Sequence, residues 1–171
     1  NTNLYFEQIS AVFSGVADLK RVFQYAQERR ATQGKGTLLF VDEIHRFNKS
    51  QQDGFLPYVE DGTIILVGAT TENPSFELNA ALLSRCQVFV LNRLDADAFE
   101  VLLQRAEKEM GRRLPVDDEA RAFMKEIADG DGRYILNLCE SVFTYAKEGE
   151  VFDKDSILKI VRSRAPIYDK G

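Results

Sequence analysis

Short continuous apolar runs alternate with helix-like segments in the first part of the chain. Hydrophobic residues recur at helical spacing over 16–26, and three apolar runs follow: TLLFVD (37–42), TIILVGA (63–69) and QVFVL (87–91). Runs of this length are typical of strands that are buried on both faces. Because helical segments separate the strands, the pattern predicts a parallel α/β sheet with right-handed crossovers.

Short helices are predicted between these strands. Ser50 and Asp53 have the spacing of a capping box, and they precede an apolar helical face that begins at Phe55. A second short helix is predicted around residues 79–84. Both segments are brief enough to connect neighbouring strands of one sheet.

After Arg93 the hydrophobic residues recur only at helical spacing. Four amphipathic segments follow one another, and three of them begin after an aspartate that can cap a helix: Asp95, Asp117 and Asp153. Four such helices with no strand between them predict a small bundle. The predicted domains are an α/β part over residues 1–93 and an all-helical part over 94–171.

The composition narrows the class of protein. The chain has 171 residues, 44% of them hydrophobic, and a net charge of −5. It can form a core in one ordinary domain, or in one domain with a small helical annex, so the composition favours a folded chain over disorder. The negative charge and the lack of a membrane-length apolar run argue against a membrane partner. One local basic cluster is interpreted as a solvated face rather than a groove for DNA: Arg29, Arg30, Lys35, Arg46 and Lys49.

The first eight residues have two interpretations. NTNLYFEQ (1–8) resembles the recognition sequence of a cleavable expression tag, with Glu7 interrupting the match. The same residues can also be native sequence. From Ile9 onward the chain reads as native.

An Asp-Glu pair follows the first of the apolar runs. Asp42 and Glu43 are predicted at the carboxyl edge of the sheet, where open α/β sheets bind ligands. In phosphoryl transfer, an aspartate here can hold Mg²⁺ through its water shell, and the following glutamate can polarise the attacking water. Taken alone, Asp42 and Glu43 fit a pair of solvated acids at the end of a strand equally well.

The second predicted strand adds a hydroxyl to this edge. It ends in GATTENP (68–74), which brings Thr70 or Thr71 to the edge that carries Asp42 and Glu43. A hydroxyl there can orient water against a terminal phosphate. The two strand ends together favour a nucleotide site over a turn that is merely rich in Thr and Asn.

Two arginines complete the set of candidate residues. Arg85 ends the short helix in LLSRCQV, on the far side of the sheet from Asp42, where an arginine can reach the nucleotide of a neighbouring subunit. Arg133 lies in the first turn of a bundle helix and can lean over a cleft. Taken singly, each also fits an ordinary surface charge.

Three stretches together resemble the replication-associated recombination protein A family of AAA+ ATPases. They are LLFVDEIHRFNKSQQDGFLPYVEDG (38–62), GATTENPSFELNAALLSR (68–85) and GDGRYILNLCE (130–140). The eukaryotic relative of this family is the Werner-helicase-interacting ATPase. The resemblance implies a partial AAA+ P-loop-type parallel sheet with flanking helices, followed by a small helical lid domain.

The resemblance also implies a role for each candidate. Asp42 and Glu43 correspond to Walker B, with Asp42 the magnesium residue, and Thr70, or less closely Thr71, corresponds to sensor 1. Arg85 corresponds to the arginine finger that acts in trans, and Arg133 to sensor 2. The implied cofactors are ATP and Mg²⁺. The implied setting is replication-fork maintenance, recombination and repair by a cytoplasmic, nucleoid-associated homotetramer, with gapped, forked or single-stranded DNA ends and a single-strand-binding protein as partners.

The phosphate-binding loop of such ATPases is missing from the sequence. No G-x-x-x-x-G-K-[ST] motif occurs, and GKG at 34–36 lacks the required spacing and hydroxyl. In the family this loop precedes everything matched here, and a tetramerisation domain follows the helical lid. We therefore expect the chain to be a fragment that begins inside the ATPase domain and is inactive by itself.

Two alternatives stay open. DEIH (42–45) also fits the Asp-Glu-x-His box of superfamily 2 helicases, in which His45 would couple hydrolysis to strand movement. SRC (84–86) and the all-helical part have no place in that fold. The other alternative is a clamp-loader-like scaffold subunit that does not hydrolyse ATP; the retention of Asp42 and Glu43 argues against it.

Overall fold

The computed structural model describes residues 3–164, which divide into two compact units between Phe89 and Val90. The first unit has mixed α and β structure, and the second is helical. The break lies close to the predicted limits of 1–93 and 94–171, which stay a prediction. Within residues 3–164, no helix is both long and apolar enough to cross a membrane.

The first unit is built on a parallel sheet of three strands. These are β1 (Tyr5–Ser10), β2 (Thr37–Asp42) and β3 (Ile64–Gly68), in the spatial order β1-β2-β3. Ser10 is paired with Asp42, and Val41 with Gly68, so all three strands end at the same edge. This confirms the predicted fold class of a parallel sheet with flanking helices.

Helices connect the strands and cover one face of the sheet. Helix α1 (Val16–Gln33) joins β1 to β2. A 3₁₀ turn (Ile44–Arg46), α2 (Lys49–Asp53) and α3 (Leu56–Glu60) lead to β3, and α4 (Pro74–Glu77) and α5 (Ala80–Leu83) follow it. Alternate residues of β2 are fully buried in the core of this unit: Thr37, Leu39 and Val41.

The predicted burial of both sheet faces is only partly found. Leu38 and Phe40 on the other face of β2 are half-buried, and Ile65 and Val67 of β3 are exposed. The described helices of this unit supply their apolar side chains to the face that carries Leu39. A continuous apolar run therefore does not establish that both faces are covered.

The sequence prediction was wrong about which segments form the sheet. Residues 87–91 were predicted to be the third strand, but they form no strand, and the apolar side chains from Val88 to Leu91 are exposed. Within residues 3–164, the only ladders join β1 to β2 and β2 to β3, so this segment is paired with no strand. The third strand of the sheet is instead β1, at the edge next to β2, where no strand was predicted.

The second unit is a bundle of four helices, as the aspartate caps predicted. It contains α6 (Ala96–Met110), α7 (Asp118–Ala128), α8 (Gly132–Tyr145) and α9 (Lys154–Arg164). Side chains from all four helices share one apolar core, among them Leu103, Met124, Leu138 and Ile157. Cys139 is buried in this core as a free thiol, and burial raises its pKa to about 11.

Candidate functional site

The carboxyl ends of β2 and β3 stay joined beyond the sheet. The backbone N–H of Ala69 donates to the carbonyl of Val41 at 2.9 Å, and that of Ile44 donates to the carbonyl of Ala69 at 3.0 Å. These two bonds hold the residues after β2 beside the residues after β3. The predicted site residues Asp42, Glu43 and Thr70 therefore lie at one edge of the sheet.

A sharp turn follows Asp42. Glu43 has φ 54° and ψ 42°, a left-handed conformation that is uncommon for a residue with a side chain. The next residue, Ile44, is buried against the end of β3, where a Cβ built on Gly68 would lie 3.0 Å from its side chain. The glycine thus lets the turn pack directly on the neighbouring strand.

The turn brings His45 between Glu43 and Thr70. The Nδ1 atom of His45 lies 2.8 Å from Oγ1 of Thr70, and its Nε2 atom lies 3.5 Å from Oε2 of Glu43. The His45 side chain is only 9% exposed, whereas that of Glu43 is 30% exposed. Glu43 thus faces solvent in part while its neighbours tie it to the end of β3.

The two candidate threonines differ in their surroundings. Thr70 is half-buried, and its hydroxyl oxygen accepts the backbone N–H of Glu72 at 3.0 Å in addition to its contact with His45. Thr71 is exposed. Only Thr70 therefore has a hydroxyl that is oriented toward the Asp-Glu edge by two neighbours.

Asp42 is suited to a magnesium site in which the protein supplies only one or two carboxylates. Its carboxylate is half-buried, and Oδ1 accepts the backbone N–H of Glu43 at 3.1 Å, which leaves Oδ2 for other partners. The described part of the chain contains no group of three or more acidic, histidine or cysteine side chains that could hold a metal ion. Mg²⁺ at nucleotide sites commonly uses one or two carboxylates together with phosphate and water, so the residues present fit that ion.

Arg85 is folded back onto its own unit. It follows α5, and its guanidinium forms an ion pair with Glu60 at 2.5 Å and donates to the carbonyl of Ala81 at 2.7 Å. Both side chains are partly exposed, at 39% for Arg85 and 49% for Glu60. The arginine is therefore accessible from outside, although it is held by an acid of the same chain.

Arg133 lies at the start of a helix in the second unit. It is exposed in the first turn of α8, as predicted. Its backbone N–H donates at 2.8 Å to the carboxylate of Asp131, which caps the helix. The backbone at this position is thereby fixed while the side chain remains at the surface.

Several side chains of the basic cluster form contacts within the first unit. Arg29 donates to Thr37 at 2.8 Å and stacks on the ring of Tyr5, with its guanidinium carbon 3.5 Å from the ring centroid. Arg30 donates to the carbonyl of Asp61 at 2.6 Å, and Lys49 donates to that of Glu77 at 2.8 Å. These contacts support the interpretation that the cluster is not a groove for DNA.

Sequence reasoning did not include two residues that contact the predicted site. His45 was considered only under the helicase alternative, although its position two residues after Glu43 on a tight turn is a usable local signal. Glu60 was missed because its contact with Arg85 joins residues 25 positions apart, and only the fold brings them together.

Comparison with known proteins identifies the family. The sequence model of the ATPase family associated with various cellular activities (AAA) matches residues 4–94. Replication-associated recombination protein A of Haemophilus influenzae is 43% identical over 98% of this chain and 39% of its own length. The ATPase WRNIP1 of Dictyostelium discoideum is 47% identical over 99% of this chain and 22% of its own length. The chain thus spans well under half of these curated relatives.

Solved structures support the same fold. The Thermotoga maritima RuvB Holliday junction branch migration motor matches 93% of this chain and 53% of its own, with a TM-score of 0.71 and 23% identity. The structure of Caenorhabditis elegans PCH-2 matches 93% of this chain and 51% of its own, with a TM-score of 0.63 and 16% identity.

These matches bear on the open interpretations. The family match begins at residue 4, so β1 lies inside the region that the family model matches. The helicase interpretation of DEIH (42–45) is not supported, because the matching family and relatives are AAA proteins. The resemblance predicted from the sequence is confirmed, and the chain belongs to the AAA family of ATPases.

Proposed function

We propose that this chain is the part of an AAA ATPase that hydrolyses ATP during replication-fork maintenance, recombination and repair of DNA. One observation carries the chemical part of the proposal: Asp42 and Glu43 end one parallel strand, and Thr70 follows the next strand at the same edge. Relatives that are 42–46% identical to this chain and are named for replication-associated recombination support the biological part.

The proposed roles at this edge follow from the chemistry of each side chain. Asp42 would hold Mg²⁺ through the water shell of the ion, and the metal would supply positive charge that screens the phosphates. Glu43 polarises the attacking water, because its carboxylate is partly exposed at the edge. Thr70 orients that water or the terminal phosphate through its hydroxyl. Its two hydrogen-bond partners support Thr70 over Thr71 for this role.

Two arginines are proposed to act on the phosphates from outside this edge. Arg85 acts in trans on the nucleotide of a neighbouring subunit, and its partial exposure supports this role. Arg133 acts as sensor 2, and its place in the first turn of a capped helix supports that role. A positive charge delivered to the transition state in this way is worth about 10³–10⁵ in rate.

The partners are proposed at the level of the whole protein. The whole protein forms a homotetramer. It binds DNA with gaps, forks or single-stranded ends and a single-strand-binding protein. Its location is cytoplasmic and nucleoid-associated. Residues 1–171 alone are proposed to be inactive and to bind ATP weakly, because the sequence has no phosphate-binding loop with its amides and lysine. Micromolar affinity of this chain for Mg-ATP in a calorimeter would contradict that statement.

The decisive experiment measures ATP hydrolysis by the full-length protein with and without forked or gapped DNA. We expect hydrolysis by the unaltered protein, and we expect Glu43→Gln to bind ATP but to lose turnover by about 10²–10⁴-fold, because an amide cannot act as a general base. Asp42→Asn should instead weaken the dependence on Mg²⁺. Normal turnover by Glu43→Gln would make Glu43 a bystander. Lack of hydrolysis by the unaltered protein, with ATP still bound, would favour the non-hydrolysing scaffold subunit.

A further inference from the structure

His45 occupies a position that the proposed mechanism does not use. Its ring lies between the general-base candidate and the phosphate-sensing candidate, with one nitrogen toward each. The side chain is 9% exposed, and His45 is the middle residue of the 3₁₀ turn (Ile44–Arg46), whose first residue packs on Gly68. The placement of the ring is therefore determined by the fold rather than by solvent.

The partners of His45 determine which ring nitrogen carries the proton. A carboxylate can only accept, so we assign the N–H of the neutral ring to Nε2, which faces Glu43. Nδ1 is then an acceptor, and the Thr70 hydroxyl donates to it at 2.8 Å. This assignment agrees with the other contact of Thr70, because its oxygen already accepts the N–H of Glu72 and has one proton left to donate.

We propose that His45 is a positioning residue that couples the Thr70 hydroxyl to the Glu43 carboxylate. The proposal rests on the ATPase function proposed above. Nδ1 holds the ring in one orientation, and Nε2 then presents its N–H to one oxygen of Glu43. This contact fixes the orientation of the Glu43 carboxylate, whose other oxygen remains available to a water molecule.

The same contacts couple the site to the state of the nucleotide. Thr70 has a single hydroxyl proton, so it donates either to His45 or to a terminal phosphate, but not to both at once. When Thr70 turns toward a phosphate, Nδ1 loses its donor and the ring loses one of its two constraints. The orientation of Glu43 then responds to whether Thr70 has engaged a phosphate.

The experiment compares His45 variants of the full-length protein in steady-state ATP hydrolysis. His45→Ala removes both contacts, whereas His45→Gln retains a donor near the position of Nε2 and His45→Asn retains only a group near Nδ1. We expect His45→Ala to lower kcat by about 10- to 100-fold with little change in the KM for ATP, as is usual for residues that orient a reactive group. His45→Gln should recover part of this loss, and His45→Asn should recover less.

A double-mutant cycle tests the coupling itself. His45→Ala combined with Thr70→Val should lose no more activity than the worse single variant, because both changes break the same chain of contacts. Asn48→Ala is the matched control: it removes the cap of α2 three residues after His45, and the side chain of Asn48 is hydrogen-bonded to Gln51 rather than to Glu43 or Thr70. It should lower the unfolding temperature without lowering kcat.

Each outcome bears on the proposal. A kcat of His45→Ala within twofold of the unaltered protein would overturn it, as would losses that multiply in the double variant. A comparable fall in kcat for Asn48→Ala would also overturn it, because the loss would then follow from stability. The ATPase function stands or falls separately on the unaltered protein and Glu43→Gln. If the unaltered protein does not hydrolyse ATP, that function and the role of His45 fail together.

Discussion

At the scale of single residues, the backbone of Glu43 carries strain. Its φ of 54° lies in the left-handed region, which costs a residue with a Cβ about 1–2 kcal/mol relative to ordinary conformations. A strained conformation persists only where its surroundings determine it, and here the hydrogen bond from Ile44 to Ala69 and the packing of Ile44 on Gly68 do so.

A glycine at position 43 should therefore be better tolerated than an alanine. We expect Glu43→Gly to raise the free energy of unfolding by up to about 1 kcal/mol over Glu43→Ala, because glycine adopts a positive φ without steric cost. Urea titration of residues 1–171, followed by circular dichroism, measures the difference. Both variants lack the carboxylate, so its contacts cancel in the comparison. A Glu43→Gly protein that is no more stable than Glu43→Ala would show that this position is not strained.

At the scale of elements, local signals account well for the helical unit. The side chains of Asp95, Asp117 and Asp153 each accept a backbone N–H three residues on, at 2.7–2.8 Å, as their positions predicted. The cap predicted at Ser50 was wrong. Asn48 and Gln51 form the capping box instead, and the helix begins two residues earlier than expected. Asn48 and Gln51 have the same spacing as Ser50 and Asp53, and the earlier pair forms the box in the structure.

An acidic side chain links α6 to α7 and should make this unit sensitive to acid. Glu100 accepts from Arg121 at 2.7 Å and from Lys125 at 2.5 Å, and these hydrogen bonds lower the pKa of Glu100 from 4.5 to about 2. Because the pKa is lowered in the folded state, the stabilisation is present above pH 4.5 and is lost as the pH falls toward 2. After allowance for the 33% exposure of this side chain, we expect a loss of about 1 kcal/mol.

Replacing the carboxylate tests this link. Glu100→Gln should be less stable than the unaltered chain at pH 7 by about 1 kcal/mol, and the two should converge as the pH falls from 4.5 toward 2. Glu109→Gln is the matched control, because Glu109 is an exposed acid on the same helix. Urea titrations at several pH values measure both differences. A stability gap between Glu100→Gln and the unaltered chain that does not change with pH would contradict the assignment.

At the scale of the whole molecule, Arg85 connects this chain to its proposed assembly. Within the chain, Glu60 neutralises its charge, and the Ala81 carbonyl fixes its guanidinium at the end of α5. A finger that serves a neighbouring subunit must exchange this ion pair for phosphate. An ion pair exposed to this degree contributes only about 0–1 kcal/mol, so the exchange is energetically accessible.

Mixing two inactive proteins tests whether Arg85 acts across an interface. Full-length Arg85→Ala should fold, bind ATP and fail to hydrolyse it. Mixed with Glu43→Gln protein, it should form some interfaces with one intact Glu43 and one intact Arg85, so activity should exceed that of either variant alone. This gain should depend on protein concentration. If no mixing ratio restores hydrolysis in a confirmed assembly, Arg85 does not act in trans.

Much of the candidate site was predictable because its residues stand at strand and helix ends with local signals. Asp42, Glu43 and Thr70 follow apolar runs that do form parallel strands, and Arg133 follows the cap of α8. The roles of these residues, together with that of Arg85, remain proposals. The contacts of His45 and the partner of Arg85 were not predicted, because they depend on the turn after β2 and on residues distant in sequence.

The sequence by itself determined the fold class, the helices of the second unit and the strand and helix ends at which the candidate residues lie, since hydrophobic period and capping act within a few residues. Tertiary structure alone decided which apolar segments became strands. The segment 87–91 has the composition of a strand but no partner among residues 3–164, whereas the more polar segment Tyr5–Ser10 pairs along its whole length with β2. Strand formation requires hydrogen bonds from a neighbour, and a linear pattern does not specify that neighbour.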